Sequence, residues 1–279
     1  MTTTANDLER LAGRAEIVAD HSWPGTSTTV LRLRKPDGRQ MIAKLNSSRA
    51  SFEREHYALS HWTRCIAPCS PQLIDADTEQ GVLLMTAVPG QPLSTLTLPD
   101  DEEEEAYWQT GALLRLLHMA APQQTLPHFG RDRAAYIRAQ FQNGMAPLSP
   151  DEIDLTLDAL TLLEELPPQQ AQPSHLDLTS RNILWDGNRA SILDFETSRY
   201  EAVGRDFLRI TQRTLREHHG LRDAFYDGYG RTPTAEEETL MRICGVTDAA
   251  AIAITSTAAG QHEFATEAHR AVAAALGCV

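Results

Sequence analysis

The chain has 279 residues, of which 42% are hydrophobic and 23% are charged, a composition that excludes disorder, collagen and coiled coil as descriptions of the whole molecule. A chain of this length is expected to remove roughly three quarters of its unfolded surface from water, in one large domain or two small ones. The net charge of −13 argues against nucleic-acid binding, which requires a basic surface that neutralises phosphates.

Compartment and redox state are inferred from the termini and the cysteines. The N-terminal segment is polar and contains Asp7 and Glu9, which is not typical of a signal peptide. The uncharged run over residues 249–261 is too short to span a bilayer. The cysteines are too few and too scattered for a disulfide framework or a zinc site, which predicts free thiols; they are Cys65, Cys69, Cys244 and Cys278. We expect a cytoplasmic protein with no membrane partner, as a monomer or a weak dimer.

The first third of the chain is predicted to form strands around one helix. Alternating apolar residues with turn residues at the joins predict strands, at residues 15–19, 28–34, 41–45 and 82–85. Ser47 and Ser48 offer an N-cap for a helix over residues 49–62, where apolar residues recur with a helical period.

The rest of the chain is predicted to be mainly helical. Prolines and a glycine at residues 89–92 break the strand pattern and predict a linker between residues 1–88 and 89–279. The run of acids at residues 100–105 favours a helix start, where acids suit the macrodipole, over a patch for a cationic substrate. Further helices are predicted at residues 132–142, 151–166 and 205–218, with two more between 236 and 276.

A β-hairpin is predicted around the turn at residues 186–188. The dipeptide Asp-Gly between two apolar runs is a strong hairpin signal. The turn places Asn182 nearly opposite Asp194, at the open end of the hairpin. Two oxygen donors at one point suit Mg²⁺, a hard cation that prefers oxygen ligands.

The segment before this hairpin has the spacing of a kinase catalytic loop. Asp177 lies two residues after His175 and is separated by four residues from Asn182; Asp194-Phe195-Glu196 follows. Asp177 is the candidate base that accepts the hydroxyl proton, and Asn182 and Asp194 are the candidate Mg²⁺ ligands. His175 is predicted to be a packed, hydrogen-bonded loop residue. Glu196 has two open roles, as a contact to a second metal or the substrate, or as a structural cap.

A lysine and a glutamate in the N-terminal third give an independent indication. The chain has only two lysines among 25 basic residues, and one of them, Lys44, lies inside an apolar strand. Glu55 shares the apolar face of the following helix. Because each buried charge needs a partner, we predict a Lys44–Glu55 ion pair, as in kinases that hold nucleotide phosphates.

Together these residues resemble the aminoglycoside phosphotransferase and choline kinase family, a branch of the protein-kinase-like fold, and specifically its antibiotic phosphotransferases. The resemblance covers most of the chain, from Lys44 to Asp206. It implies an α+β, bilobal fold. Residues 1–88 would form a small nucleotide-binding lobe with an antiparallel β-sheet and one helix, and residues 89–279 a large, mainly helical catalytic and substrate-binding lobe.

The resemblance also implies a nucleoside triphosphate donor, ATP or GTP, with Mg²⁺ as cofactor. Nucleotide contacts are expected from the lysine–glutamate pair, from a Ser/Thr-rich loop that cradles phosphates and from hinge backbone groups that bind the purine; the residues are Lys44, Glu55, Ser27, Thr28, Met85, Thr86 and Val88. Asp206 is expected to buttress the catalytic loop.

Several positions depart from the family pattern. Leu176 and Arg181 stand where glycine is common, and the metal segment reads Asp-Phe-Glu. No Ala-Pro-Glu triplet follows Asp194, so a protein substrate is not expected.

The predicted function is transfer of the γ-phosphate to a hydroxyl of a small molecule. An antibiotic of aminoglycoside, nucleoside or peptide type is expected, in resistance or self-resistance. The alternatives are a metabolic kinase with a choline- or amino-acid-like substrate, and a nucleotide-binding module without turnover. Residues 129–166 and the helices after Asp206 are predicted to set substrate choice; charged candidates in the first segment are Arg131, Arg133, Arg138, Asp151, Glu152, Asp154 and Asp158.

Overall fold

The computed structural model of the chain describes residues 11–22, 28–46, 48–141, 144 and 147–276. Its strands are β1 (Glu16–Asp20), β2 (Thr29–Arg34), β3 (Gln40–Leu45), β4 (Leu73–Asp77), β5 (Val82–Thr86), β6 (Gln91–Pro92), β7 (Gln124–Leu126), β8 (Gln169–Ser174), β9 (Ile183–Trp185), β10 (Ala190–Ile192) and β11 (Arg199–Ala202). Its helices are α1 (Arg49–His61), α2 (Asp100–His118), α3 (Phe129–Phe141), α4 (Pro150–Glu164), α5 (Val203–Arg209), α6 (His219–Tyr229), α7 (Ala235–Ala258) and α8 (His262–Leu276).

The chain divides into two compact units. The first comprises residues 1–122, 172–200 and 213–232, and the second comprises residues 123–171, 201–212 and 233–279. The lobes predicted at residues 1–88 and 89–279 are a functional division, and that boundary stays a prediction.

The first unit contains a five-stranded antiparallel sheet with strand order β1–β2–β3–β5–β4. The four strands predicted in this region are confirmed to within one residue at each end. Strand β4 was not predicted, because its sequence contains two aspartates and its exposed and buried residues do not alternate. An apolar cluster lies against the sheet, formed by Ala12, Leu33, Met41, Ala43 and Leu84.

Helix α1 confirms the predicted helix after β3. The Ser48 hydroxyl accepts a hydrogen bond from the Ser51 N–H and forms the N-cap; Ser47, the other predicted cap, lies outside the described residues. The buried face of the helix includes Phe52 and Glu55, so Glu55 lies on the apolar side as predicted.

The segment predicted as a linker, residues 89–92, includes a short paired strand, and its role as the connection between the lobes stays a prediction. Strand β6 occupies two of these residues and pairs with β9, with Gln91 opposite Trp185. Gly90 has φ +110°, and a Cβ there would lie 2.7 Å from the Trp185 carbonyl oxygen. A glycine is therefore needed where the backbone passes close to the β9–β10 hairpin.

Helices α2 and α6 also belong to the first unit. Acids fill the first turn of α2, as the helix-start interpretation predicts. The two helices pack closely, because a Cβ on Gly228 of α6 would lie 1.8 Å from the Trp108 carbonyl oxygen of α2. Helix α6 is among the helices expected after Asp206, but the sequence analysis gave it no bounds.

The second unit is mainly helical. The predicted helices near 132–142 and 151–166 are confirmed as α3 and α4, and the last two as α7 and α8. The single helix predicted over residues 205–218 is wrong: α5 ends at Arg209 and a π-helical turn follows over Ile210–Thr214. An apolar core includes Leu148, Ala250, Ile254 and Val272.

One described helix, α7, is long and apolar enough to cross a membrane by length and composition alone. Within the fold, 67% of its apolar window is buried, as in the core helix of a globular protein. Cys65, Cys69 and Cys244 are free thiols as predicted, and Cys278 lies outside the described residues.

Candidate active site

Lys44 lies in the centre of the first unit's sheet. Strand β3 pairs with β2 and β5 on either side, and Lys44 is opposite Val30 and Leu83. The residue is 6% exposed. Its Nζ lies 2.9 Å from Glu55 Oε2, so the ion pair predicted from the sequence is present.

Two further carboxylates contact the same ammonium. Lys44 Nζ lies 2.6 Å from Asp194 Oδ1 and 3.2 Å from Glu196 Oε2. One carboxylate oxygen from each of Glu55, Asp194 and Glu196 lies within 4.8 Å of the others. Glu196 is therefore an ion-pair partner of Lys44 in this structure, a role that neither interpretation of its sequence position included.

The charges in this cluster shift one another's pKa values. Burial disfavours the Lys44 ammonium, but the three carboxylates outweigh burial and raise its pKa. Burial raises the pKa of the Glu55 carboxyl, and the Lys44 charge opposes that shift only in part. Burial also acts to raise the pKa of Asp194, but Lys44 reverses the direction and holds that pKa below its ordinary value.

Two polar side chains that the sequence analysis did not assign bond to Glu55 and to the backbone of Glu196. Asn46 Nδ2 donates to Glu55 Oε2 at 2.7 Å, and Arg54 Nε donates to the Glu196 carbonyl oxygen at 2.7 Å. The sequence signal for Asn46 is a buried polar residue directly after an apolar strand. Arg54 gave no signal, because its partner lies 142 residues away.

Asp177 lies in the loop before the β9–β10 hairpin, and 12% of its side chain is exposed. Its Oδ2 accepts hydrogen bonds from Arg181 Nη2 at 2.9 Å and from Asn182 Nδ2 at 3.1 Å. Asn182 Nδ2 also donates to the Asp177 carbonyl oxygen at 2.8 Å. The predicted base and the predicted metal ligand are therefore joined in one hydrogen-bonded loop.

His175 is fully buried and connects this loop to the end of the hairpin. Its Nε2 lies 2.8 Å from the Leu193 carbonyl oxygen, and its Nδ1 accepts from the Asp177 N–H at 3.2 Å. The ring packs edge-on against Phe195, with centroids 4.9 Å apart. The prediction that His175 is a packed loop residue is confirmed.

The hairpin brings the two predicted metal ligands to its open end. The register Ile192 opposite Ile183 and the hydrogen bond from the Leu193 N–H to the Asn182 carbonyl oxygen (2.9 Å) confirm the predicted pairing. Asp194 follows directly with φ +67°, a left-handed conformation that aspartate tolerates better than most residues.

The donor set at this point fits a hard divalent cation. Asp194 and Glu196 present carboxylate oxygens, which Mg²⁺ prefers. The nitrogen of the Asn182 amide is bonded to Asp177, so its oxygen is the atom that can serve as a ligand. Asp194, Asn182 and Glu196 are thus the residues here with suitable atoms for Mg²⁺.

The residues predicted to contact the purine and the phosphates lie in two segments, the loop around Thr28 and the end of β5. Ser27 lies outside the described residues, and Thr28 begins the described part of that loop. The Thr86 N–H donates to the Gln72 carbonyl oxygen at 2.9 Å. This backbone donor of the predicted hinge is therefore hydrogen-bonded within the protein. Roles for Met85 and Val88, both buried, stay predictions.

Asp206 is fully buried in the first turn of α5, in the second unit. Its role as a buttress stays a prediction. Three of the charged candidates between 129 and 166 have partners within that unit: Arg133 pairs with Asp248, Arg138 with Glu164, and Glu152 with the Ser149 backbone and His269. These contacts hold helices together.

The fold and the sequence match known phosphotransferases. The profile of the "Phosphotransferase enzyme family" matches residues 23–241, and no curated protein sequence matches the chain significantly. The chain shares its fold with a thermostable mutant of aminoglycoside phosphotransferase APH(4)-Ia in a ternary complex with ADP and hygromycin B, at 16% identity and TM-score 0.71, covering 99% of this chain and 98% of that one.

Two other solved structures share the same fold. The GDP and kanamycin complex of APH(2")-IIia is 13% identical with TM-score 0.67, covering 97% of each chain. Macrolide 2'-phosphotransferase type I is 16% identical with TM-score 0.63, covering 98% of this chain and 99% of that one. With its antiparallel sheet and mainly helical remainder, and with a family match over most of its length, the chain belongs to the phosphotransferase enzyme family, as a small-molecule kinase of the protein-kinase-like fold.

Proposed function

We propose that this enzyme transfers the γ-phosphate of ATP or GTP to a hydroxyl group of a small antibiotic, with Mg²⁺ as cofactor. The observation that carries the proposal is the cluster around Lys44 in the first unit. The buried ammonium contacts Glu55 and Asp194, and the loop from Asp177 to Asn182 joins the same hairpin that carries Asp194.

Each residue has a role in this proposal. Lys44, oriented by Glu55, contacts the phosphates of the nucleotide. Asn182 and Asp194 hold Mg²⁺, which neutralises charge on the phosphate oxygens when bound. Asp177 accepts a hydrogen bond from the acceptor hydroxyl and takes its proton late, because the transition state of phosphoryl transfer is loose. Positioning and charge neutralisation supply most of the acceleration.

An antibiotic is the proposed acceptor class because the structures sharing this fold include complexes with hygromycin B and with kanamycin. The net charge of −13 favours a cationic acceptor slightly. Inactivation of such a compound would serve resistance in a cytoplasmic setting.

A coupled assay of nucleoside diphosphate release tests the proposal. Purified protein is incubated with Mg²⁺ and either ATP or GTP. Candidate acceptors are added in turn: aminoglycosides, macrolides, nucleosides, peptide antibiotics, amino alcohols and sugar amines. Phosphorylated product is identified by mass spectrometry. We expect one class to stimulate release and to gain a phosphate.

The Asp177→Asn variant should lose turnover while it still binds nucleotide. Asp223→Asn, an exposed aspartate of α6, is the matched control and should behave as wild type. Near-wild-type turnover in Asp177→Asn would remove Asp177 as the base. Stimulation by an amino alcohol or a sugar amine alone would move the acceptor class to metabolism.

A further inference from the structure

A second cation, Arg181, contacts the site through the predicted base. It lies on the short turn Ser180–Asn182, and its Nη2 is 2.9 Å from Asp177 Oδ2. Within the described part of the chain, Asp177 is the carboxylate to which the Arg181 guanidinium bonds. Lys44 contacts the other three carboxylates of the site, those of Glu55, Asp194 and Glu196.

Two side-chain donors, from Arg181 and Asn182, converge on one oxygen of the Asp177 carboxylate. Arg181 Nη2 and Asn182 Nδ2 each bond to Oδ2. A carboxylate held by two donors at the same oxygen cannot rotate about its side-chain bonds without breaking both. Since a base must present an oxygen within hydrogen-bond distance of the proton it accepts, this clamp sets the direction in which the carboxylate faces.

The exposure of the pair argues against a purely structural purpose. The Arg181 side chain is 38% exposed and that of Asp177 is 12% exposed. Ion pairs that solvent reaches contribute little to folding stability. The contact therefore orients the Asp177 carboxylate and changes the free energy of unfolding only slightly.

We propose that Arg181 is a positioning residue that orients the Asp177 carboxylate for the acceptor hydroxyl. This inference rests on the proposed function, because it takes Asp177 as the base. Arg181 stands where glycine is common in the family that the sequence resembles, and a glycine has no side chain that could make this contact.

Arg181→Gln and Arg181→Lys test the proposal, with Arg189→Gln as the control for an exposed arginine in the same hairpin. The assay follows phosphate release from Mg²⁺-ATP with water as acceptor, and transfer to the acceptor found in the screen. We expect Arg181→Gln to lower kcat roughly 10- to 100-fold, with KM for the nucleotide changed less than about two-fold. Arg181→Lys, which keeps a charge within reach, should recover most of kcat.

Thermal melting and a double variant separate the possible outcomes. The melting temperature of Arg181→Gln should equal that of Arg189→Gln. In an Asp177→Asn background, Arg181→Gln should lower the residual turnover less than about two-fold, because both changes disable the same group. Wild-type kcat in Arg181→Gln, an equal loss in the lysine variant with a lowered melting temperature, or an undiminished loss in the double variant would each overturn the proposal.

The failure of the proposed function looks different from the failure of this inference. If Asp177→Asn alone keeps its turnover, the base assignment is wrong and the inference falls with it. If Asp177→Asn is inactive and Arg181→Gln keeps wild-type kcat, only the inference is wrong.

Discussion

A buried ion network in the second unit gives a quantitative test of the fold. Asp248 of α7 accepts from Arg133 of α3 and from Arg205 of α5, the latter at 2.6 Å. Arg205 Nη1 also donates to Glu201 Oε2 at 2.8 Å. The side chains of Arg205 and Asp248 are 9% and 16% exposed, so Asp248 and Glu201 together balance two guanidinium groups that are largely shielded from water.

Asp248→Asn should therefore destabilise the protein strongly. Removing one partner of a buried ion pair costs about 3–5 kcal/mol, because the remaining charge stays buried without compensation. At about 2 °C per kcal/mol for a chain of this size, the melting temperature should fall by roughly 6–10 °C. The melting temperature is measured by thermal unfolding, followed by circular dichroism in the far ultraviolet, where helices give a strong signal.

Glu164→Gln is the matched control, because it breaks the exposed Arg138–Glu164 pair, whose side chains are 43% and 41% exposed. That pair should contribute less than about 1 kcal/mol. If Asp248→Asn and Glu164→Gln melt within 2 °C of each other, the buried network does not stabilise the second unit and the reasoning is refuted.

The same network predicts how stability depends on pH. Burial acts to raise the pKa of Asp248, but Arg205 and Arg133 hold it below its ordinary value of 3.8. A carboxyl with a lowered native pKa contributes stability above its unfolded pKa and loses it as the pH falls through the native pKa. Wild type should lose this contribution below about pH 4, and Asp248→Asn should show a flatter acid limb.

Three further predictions concern single side chains. Lys44→Arg should lower kcat and nucleotide affinity at least about ten-fold, because a planar guanidinium does not replace an ammonium among three carboxylates; unchanged values in a nucleotide titration would contradict a phosphate role. Leu176 is buried at φ +66°, so Leu176→Gly should unfold in urea with a free energy about 1 kcal/mol above that of Leu176→Ala, the reverse of the usual order. Burial raises the pKa of Cys244 to about 12, so native protein should be alkylated at exposed Cys65 and not at Cys244, as read by peptide mass spectrometry.

The sequence predicted best the parts of the site that depend on local geometry. Asn182 and Asp194 are brought together by a short hairpin, whose turn residues are visible in the sequence. The Lys44–Glu55 pair was predictable because a strand and the next helix each placed a charge on an apolar face, and each charge required a partner.

Contacts between distant segments were not predictable in this way. Lys44 and Asp194 are 150 residues apart, and periodicity within a segment says nothing about which distant carboxylate reaches an ammonium. The same limit hid the roles of Asn46 and Arg54. Strand β6 was missed for a different reason, because proline and glycine normally interrupt strands, and here they lie at the edge of a short pairing.

The charge balance around Lys44 leads to a prediction about metal removal. If the ammonium neutralises Glu55 at 2.9 Å, the carboxylates of Asp194 and Glu196 remain at the place proposed for the nucleotide phosphates. A triphosphate adds further negative charge, and like charges at such distances repel strongly where water is excluded. A divalent cation would relieve this repulsion.

Nucleotide affinity, measured by equilibrium titration, should therefore fall at least ten-fold, or about 1.4 kcal/mol, when EDTA replaces Mg²⁺. In Asp194→Asn the dependence on Mg²⁺ should weaken, because both a ligand and a repelling charge are lost. Affinities within two-fold of each other with and without Mg²⁺ in wild type would show that the acidic cluster does not lie at the phosphates.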